Sequence, residues 1–130
     1  GSPLCCVAAL ANIEVIRGEK LVQNAAKMGN LLHAELRKIQ KKHSDIIGAV
    51  HGKGLVAGLH IVKPGTTEPD GDLAFRIIEK SVEKGLLFFS PVGFGGATVK
   101  ISPPLTIPAA AVKDGAKALA EAIAEAAASA

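Results

Sequence analysis

A cation displayed next to a rigid turn is the feature of this sequence with the clearest chemical potential. In residues 98–107, apolar Val99 and Ile101 flank Lys100, and side chains alternate along a strand, so the Lys100 ammonium leaves the core. A double proline then stops the strand, because proline has no N–H donor and a fixed φ. The pattern therefore predicts a solvated lysine or, if a ligand is present, an anion site at Lys100.

The four histidines do not have the spacing of metal ligands. His33 and His43 are ten residues apart, and His51 and His60 are nine apart, so neither pair matches an H-x-x-x-H ligand motif. No serine lies in a G-x-S-x-G setting, and neither cysteine has the surroundings of a nucleophile. The sequence thus predicts no metal site and no catalytic residue for hydrolysis.

Glycines at 52, 54 and 58 bear a superficial likeness to a phosphate-binding loop. Such a loop must lead into the start of a helix, and no helix start follows these residues. We therefore expect the glycines to permit a bulge or a close backbone crossing within a β-hairpin.

Composition excludes several classes of protein. The 130 residues are 48% hydrophobic, which is enough to build a core and argues against disorder. A net charge of +3, four Phe and no Trp or Tyr do not indicate nucleic-acid binding. The longest uncharged stretch, residues 85–99, is broken by Pro91 and several glycines, so no membrane span is expected.

The amino-terminal residues bear on the cellular compartment. No basic leader followed by an apolar segment is present, so we expect no export signal and a cytoplasmic protein. Cys5 and Cys6 are adjacent, which suits a framework disulfide poorly and fits a reducing compartment. We expect both to be small buried residues of a helix.

Three segments carry a resemblance to a known family. Lys100-Ile-Ser-Pro-Pro-Leu-Thr-Ile107 resembles the R-[IL]-[ST]-P-P-L-T-I segment of class III aminotransferases, which are pyridoxal-phosphate enzymes of fold type I. Residues 1–10 resemble the family's G-[NS]-P-L-x-x-x-A-A-L helix start, and residues 50–58 resemble V-R-G-x-G-L-x-x-G. The segments occur in the family's order, and the similarity covers nearly the whole chain.

The resemblance assigns one residue a role in substrate binding. The family commonly has an arginine at the place of Lys100, and that arginine holds the substrate carboxylate. Lysine provides a point charge rather than a planar fork, so its grip on a carboxylate is weaker and less oriented. The family's other arginine, in V-R-G, is replaced by His51, at a position that we regard as structural.

The same resemblance implies that most of the active site lies outside this chain. The family's Schiff-base lysine, the acid that pairs with the pyridine nitrogen and the phosphate ligands all precede the segment that matches Gly1. No catalytic or cofactor-binding residue is therefore expected here. Pyridoxal phosphate is expected in the parent enzyme, but not bound to this chain, which alone should be inactive. The implied partners are a preceding large domain, a second copy in a homo-oligomer such as a homodimer, and a small amino-acid or amine substrate.

Alternatives to this interpretation remain. The parent enzyme could be a pyridoxal-phosphate-dependent decarboxylase or racemase of the same family, because their carboxyl-terminal segments are closely similar. A different class altogether is a stand-alone, non-catalytic module for dimerisation or for binding small anions.

Hydrophobic periodicity predicts the elements that position Lys100. In chain order they are a helix over 3–16, a long second helix from about 21, strands over 46–50 and 54–62, a loop over 63–72, a third helix to about 84, a strand over 86–90, the strand with Lys100 and a helix over 108–127. The interval between the first two strands is predicted to be a turn at His51-Gly52-Lys53.

These elements predict an α+β fold, in which helices pack on a small, mainly antiparallel sheet after a long helical segment. Residues 1–130 are expected to form a single domain, similar to the small carboxyl-terminal domain of fold type I enzymes. The helix over 1–16 would then link it to the large domain. That helix is apolar on more than one face, so we expect the chain alone to self-associate.

Overall fold

The computed structural model describes residues 1–129 as a layer of helices on a three-stranded antiparallel sheet, which confirms the α+β prediction. The elements are α1 (Pro3–Gly18), α2 (Leu21–Lys42), β1 (Ile47–Lys53), β2 (Val56–Ile61), α3 (Gly71–Glu83), β3 (Thr98–Ile101) and α4 (Ala109–Ala128).

The sheet has the strand order β1-β2-β3, and both pairs of neighbouring strands are antiparallel. The turn predicted at residues 51–53 is wrong, because β1 continues to Lys53, which pairs with Val56. Gly52 makes this possible with a φ of 135°, and the chain reverses at Gly54, which has a φ of 58°. The hairpin thus has a two-residue turn, and His51 belongs to a strand.

Helices α2 and α3 cover one face of the sheet, α4 packs against both of them, and the three helices build the core with the sheet. The second and last helices predicted from hydrophobic periodicity are confirmed, and each buries a one-sided stripe of apolar residues at helical spacing. These are Leu21, Met28, Leu32, Leu36 and Ile39 on α2, and Val112, Ala116, Leu119, Ile123 and Ala126 on α4. They pack with inward-facing strand residues such as Leu59, Ile61 and Val99, which are fully buried.

Helix α3 is held at both ends. The Asp70 carboxylate accepts a hydrogen bond of 2.9 Å from the N–H of Leu73, so it caps the amino terminus. At the other end, the Lys84 ammonium donates a 2.6 Å hydrogen bond to Glu125 and thereby joins α3 to α4. Gly85 follows with a φ of 84°, the left-handed conformation in which a helix commonly ends.

Helix α1 is the exception to the layered packing. It lies against α2, and none of its residues is buried. Leu4 is 79% exposed, and Val7 is 65% exposed. The expectation that Cys5 and Cys6 are buried is wrong, because both side chains lie on parts of α1 that no described element covers.

The strand predicted over residues 86–90 is also wrong. Leu86 and Phe88 are half-buried, whereas Leu87 is 90% exposed and Phe89 is 87% exposed. The alternation of a strand is present, but the segment has no ladder partner in residues 1–129. Only the isolated bridge between Val92 and Thr98 connects the following residues to β3.

Two glycines allow α2 to cross the hairpin turn closely. A Cβ atom added to Gly29 would overlap the backbone of Gly54, so the two backbones are in direct contact at this point. The expected close backbone crossing in the hairpin is therefore confirmed. It fixes the hairpin, and with it β1 and β2, against the helical layer.

Candidate functional site

Lys100 lies on the outer face of the sheet, which we define as the face opposite α2, α3 and α4. Its neighbours Val99 and Ile101 point inward and are buried, whereas the Lys100 side chain is exposed. The predicted alternation across this strand is confirmed. Substrate binding by Lys100 stays a prediction.

The turn that follows Lys100 is fixed to α2. The side-chain amide of Asn24 donates a 2.6 Å hydrogen bond to the carbonyl oxygen of Leu105. Within the turn, the N–H of Ile107 donates a 3.0 Å hydrogen bond to the carbonyl of Pro104. Because proline has a fixed φ, these contacts hold the end of β3 in one position. The sequence gives no signal for Asn24, since the contact joins residues 81 positions apart.

An apolar pocket of about 280 Å³ borders the same strand end. It lies between residues 86–89, the proline turn and the first half of α4. Its lining includes Lys100, Leu86, Phe88, Ile107 and Val112. The lining also includes Leu32, Leu36 and Ile101, so the pocket lies on the helical side of β3, whereas the Lys100 side chain is exposed on the outer face.

The register of the sheet places polar residues beside Lys100 on the outer face. Lys100 pairs with Gly58 of β2, and Gly58 pairs with His51 of β1, so these three residues form one row across the sheet. In the next row, His60 pairs with Thr98, and their side chains are 3.4 Å apart from Nδ1 to Oγ1. His51 was interpreted from the sequence as structural, and the structure shows its side chain to be exposed in the same row as Lys100.

Electrostatics distinguish Lys100 from three other lysines. Each of the three donates a hydrogen bond to a glutamate: Lys63 to Glu68, Lys80 to Glu83 and Lys84 to Glu125. These hydrogen bonds raise the pKa of the three lysines above its usual value. Lys100 forms no ion pair with any residue that the structure describes, so its charge is available to a ligand.

Other classes of site find no support in residues 1–129. No three or more histidines, cysteines or carboxylates come together as metal ligands. None of the described helices is both long and apolar enough to cross a membrane. The exposed Lys100 and its two neighbours in the row, Gly58 and His51, are the candidate site.

Comparison with known proteins gives a consistent result. The model of the family described as aminotransferase class-III matches residues 1–123. The 5-aminovalerate aminotransferase DavT of Pseudomonas putida is 39% identical over 96% of this chain, and an alanine/serine racemase of Pyrococcus horikoshii is 37% identical over 82%. The structure of an aminotransferase of Bacillus anthracis superposes with a TM-score of 0.86 at 30% identity over 95% of the chain.

All three similarities cover only part of the other protein. The chain spans 29% of DavT, 22% of the racemase and 28% of the Bacillus anthracis chain. The matched region is thus less than a third of each.

Proposed function

The chain belongs to the class III aminotransferase family, and we propose that it is the carboxyl-terminal part of a pyridoxal-phosphate-dependent aminotransferase. In this proposal the parent enzyme transfers an amino group between an amine or amino acid and a 2-oxo acid. The present residues contribute one side of the substrate site. A preceding large domain contributes the cofactor site, and a second copy of the enzyme completes the oligomer.

The residues of this chain do not fit a pyridoxal-phosphate site. A Schiff-base lysine must lie in an enclosed pocket, where desolvation favours its neutral, nucleophilic form. Among residues 1–129, ten lysines are exposed, and the two half-buried ones, Lys80 and Lys84, are paired with glutamates. We therefore assign no step of the cofactor chemistry to this chain, and we propose that the chain alone is inactive.

Lys100 is the residue that we propose to hold the substrate carboxylate. The observation that carries this role is an unpaired ammonium at the end of a strand that the Asn24 contact and the proline turn hold in place. An ammonium orients a carboxylate by charge and by up to three hydrogen bonds. The pocket on the helical side of β3 would receive apolar side chains of a neighbouring domain.

Transamination is favoured over the alternatives. The aminotransferase relative, DavT, is matched at higher identity and over more of this chain than the racemase. A stand-alone module is disfavoured, because the family model matches nearly the whole chain while each similar protein is more than three times longer.

The test is the substitution Lys100→Met in the full-length enzyme. Two amino donors of equal length, 5-aminovalerate and pentylamine, differ in whether they carry a carboxylate, and a 2-oxo acid is supplied as acceptor. Loss of a hydrogen bond to a charged group removes about 1.5 to 3 kcal/mol. We therefore expect kcat/KM for 5-aminovalerate to fall roughly tenfold to a hundredfold, while kcat/KM for pentylamine changes little.

Lys117→Met, on the exposed surface of α4, is the matched control and should leave both values unchanged. Equal kcat/KM of the Lys100→Met and unmodified enzymes for 5-aminovalerate would show that Lys100 is only a solvated residue.

A further inference from the structure

Two departures from the family's sequence pattern lie in one row of the sheet. His51 stands where the family has the arginine of V-R-G, and Lys100 stands where it has the arginine before the double proline. They are 49 positions apart in the sequence. The register nevertheless pairs both with Gly58, one from each side, so both belong to the outer face.

Gly58 has no side chain, so none stands between His51 and Lys100 in this row. A Cβ added to Gly58 would lie 3.0 Å from Cγ2 of Thr98, so this methyl group approaches the same position from the adjacent row. Adjacent strands are about 4.8 Å apart, which places the backbones of His51 and Lys100 about 10 Å apart across β2. A carboxylate above Gly58 would lie within reach of both an imidazole N–H and the lysine ammonium.

The surrounding charges favour an anion at this place. No described residue forms an ion pair with His51 or Lys100, and the outward positions of the three strands include no Asp or Glu. In the adjacent row the His60 imidazole is already engaged with Thr98. His51 is therefore the imidazole whose ring nitrogens are open to a ligand in this row.

We infer that His51 is a second carboxylate-binding residue, which donates an N–H to the substrate carboxylate opposite Lys100. The inference rests on the proposed function of Lys100. Arginine binds a carboxylate through two parallel N–H donors on one side chain, and lysine alone lacks this geometry. Here the two donors come from two strands, and a histidine offers a ring N–H whether neutral or protonated. The two departures compensate each other, and together they restore a two-sided grip on a carboxylate.

The experiment compares His51→Ala, Lys100→Met and the double variant in the full-length enzyme with 5-aminovalerate and pentylamine. We expect His51→Ala to lower kcat/KM for 5-aminovalerate about tenfold and to leave pentylamine within about twofold. The competitive inhibition constant of glutarate, which reports binding without turnover, should rise about as much. The double variant should lose less than the product of the two single losses, because both residues hold one group.

Controls separate binding from a structural role. Lys53→Ala removes an exposed cation from the same strand and face, but Lys53 pairs with Val56 rather than with Gly58, so it should have no effect. His51→Asn keeps an N–H donor and should recover part of the glutarate affinity. It also provides the test if His51→Ala fails to fold.

Each outcome decides between the inference and the proposed function. If Lys100→Met lowers 5-aminovalerate turnover and His51→Ala does not, the inference fails and the proposed function stands. If His51→Ala lowers turnover of both donors equally, His51 has only a structural role and the inference is again overturned. If Lys100→Met has no effect with either donor, the proposed function itself fails.

Discussion

At the scale of single residues, Lys100 and Ile101 are neighbours in the sequence with opposite surroundings. The ammonium of Lys100 is in solvent, whereas Ile101 is 7% exposed and packs in the core. Binding and folding are therefore assigned to different side chains of one short strand. The same separation holds for His51, which is exposed, and Val50, which packs against the core.

This separation can be tested on the stability of the 130-residue chain. Lys100→Met should change the free energy of unfolding by no more than about 0.5 kcal/mol, as is usual for surface substitutions. Ile101→Ala, the matched control on the same strand, should cost about 2 to 5 kcal/mol, because it leaves a cavity in the core. Urea denaturation followed by circular dichroism measures both. A loss above 1 kcal/mol for Lys100→Met would contradict the assignment of this residue to the ligand.

The orientation of the Lys100 side chain could be predicted from the sequence, but the position of His51 in the same row could not. Orientation follows from the local period of two residues between Val99 and Ile101. The position of His51 depends on the register of a strand pair, and a shift of one residue would move it to the core face. Because the sequence predicts a turn at residues 51–53, it does not predict that His51 lies in one row with Lys100 on the outer face.

At the scale of elements, prediction succeeded where a segment's own pattern decides its structure. The apolar stripes of α2 and α4 are long and one-sided, so the helical period alone identified their buried residues. Residues 86–90 have the alternation of a strand, but a strand also needs a partner for its backbone hydrogen bonds. None is present in residues 1–129, and periodicity cannot reveal the absence of a partner.

Helix α1 is the element whose surroundings are least complete. Leu4, Val7 and Leu10 are each more than 60% exposed and lie on successive turns of the helix. Exposure of apolar surface to water costs about 25 cal/mol of free energy per Å². The first turns of α1 therefore present an apolar surface whose contact with another protein surface would be favourable in free energy.

We expect the 130-residue chain to self-associate through α1. Sedimentation or light scattering at increasing protein concentration should show a rising average mass, and a dye for apolar surfaces should bind. The double variant Leu4→Lys/Leu10→Lys should restore a monomer, whereas Lys27→Gln on the exposed face of α2 should not. A chain that stays monomeric and binds no dye at high concentration would contradict this expectation.

At the scale of the whole molecule, residues 1–129 expose the proposed anion-binding face to solvent on the side of the sheet opposite the helices. The α+β class was predictable, because stripes of period 3.6 alternate with short strand patterns along the chain. The resemblance to class III aminotransferases also supplied the expectation that the cofactor's ligands lie elsewhere. The proposal that this chain contributes no cofactor lysine is based on the exposure of its described lysines.

The chain alone should therefore form no specific adduct with pyridoxal phosphate. After incubation with stoichiometric cofactor and reduction with borohydride, peptide mass spectrometry should find modification scattered over exposed lysines at low yield. The full-length enzyme, treated in parallel, should be modified at one lysine outside these residues. A single lysine of this chain modified in full yield, with a visible absorption band, would overturn the proposed inactivity.

The contact between Gly29 and Gly54 has a consequence for laboratory evolution of such an enzyme. Gly29 lies on α2, on the other side of the sheet from the outer face. Any larger residue at this position would nevertheless displace the hairpin that carries both His51 and Gly58. In laboratory evolution, active variants should therefore keep glycine at position 29, although Gly29 lies on the helical side of the sheet. Redesign of the outer face is thus limited from its other side, by a backbone contact at Gly29 that leaves no room for a methyl group.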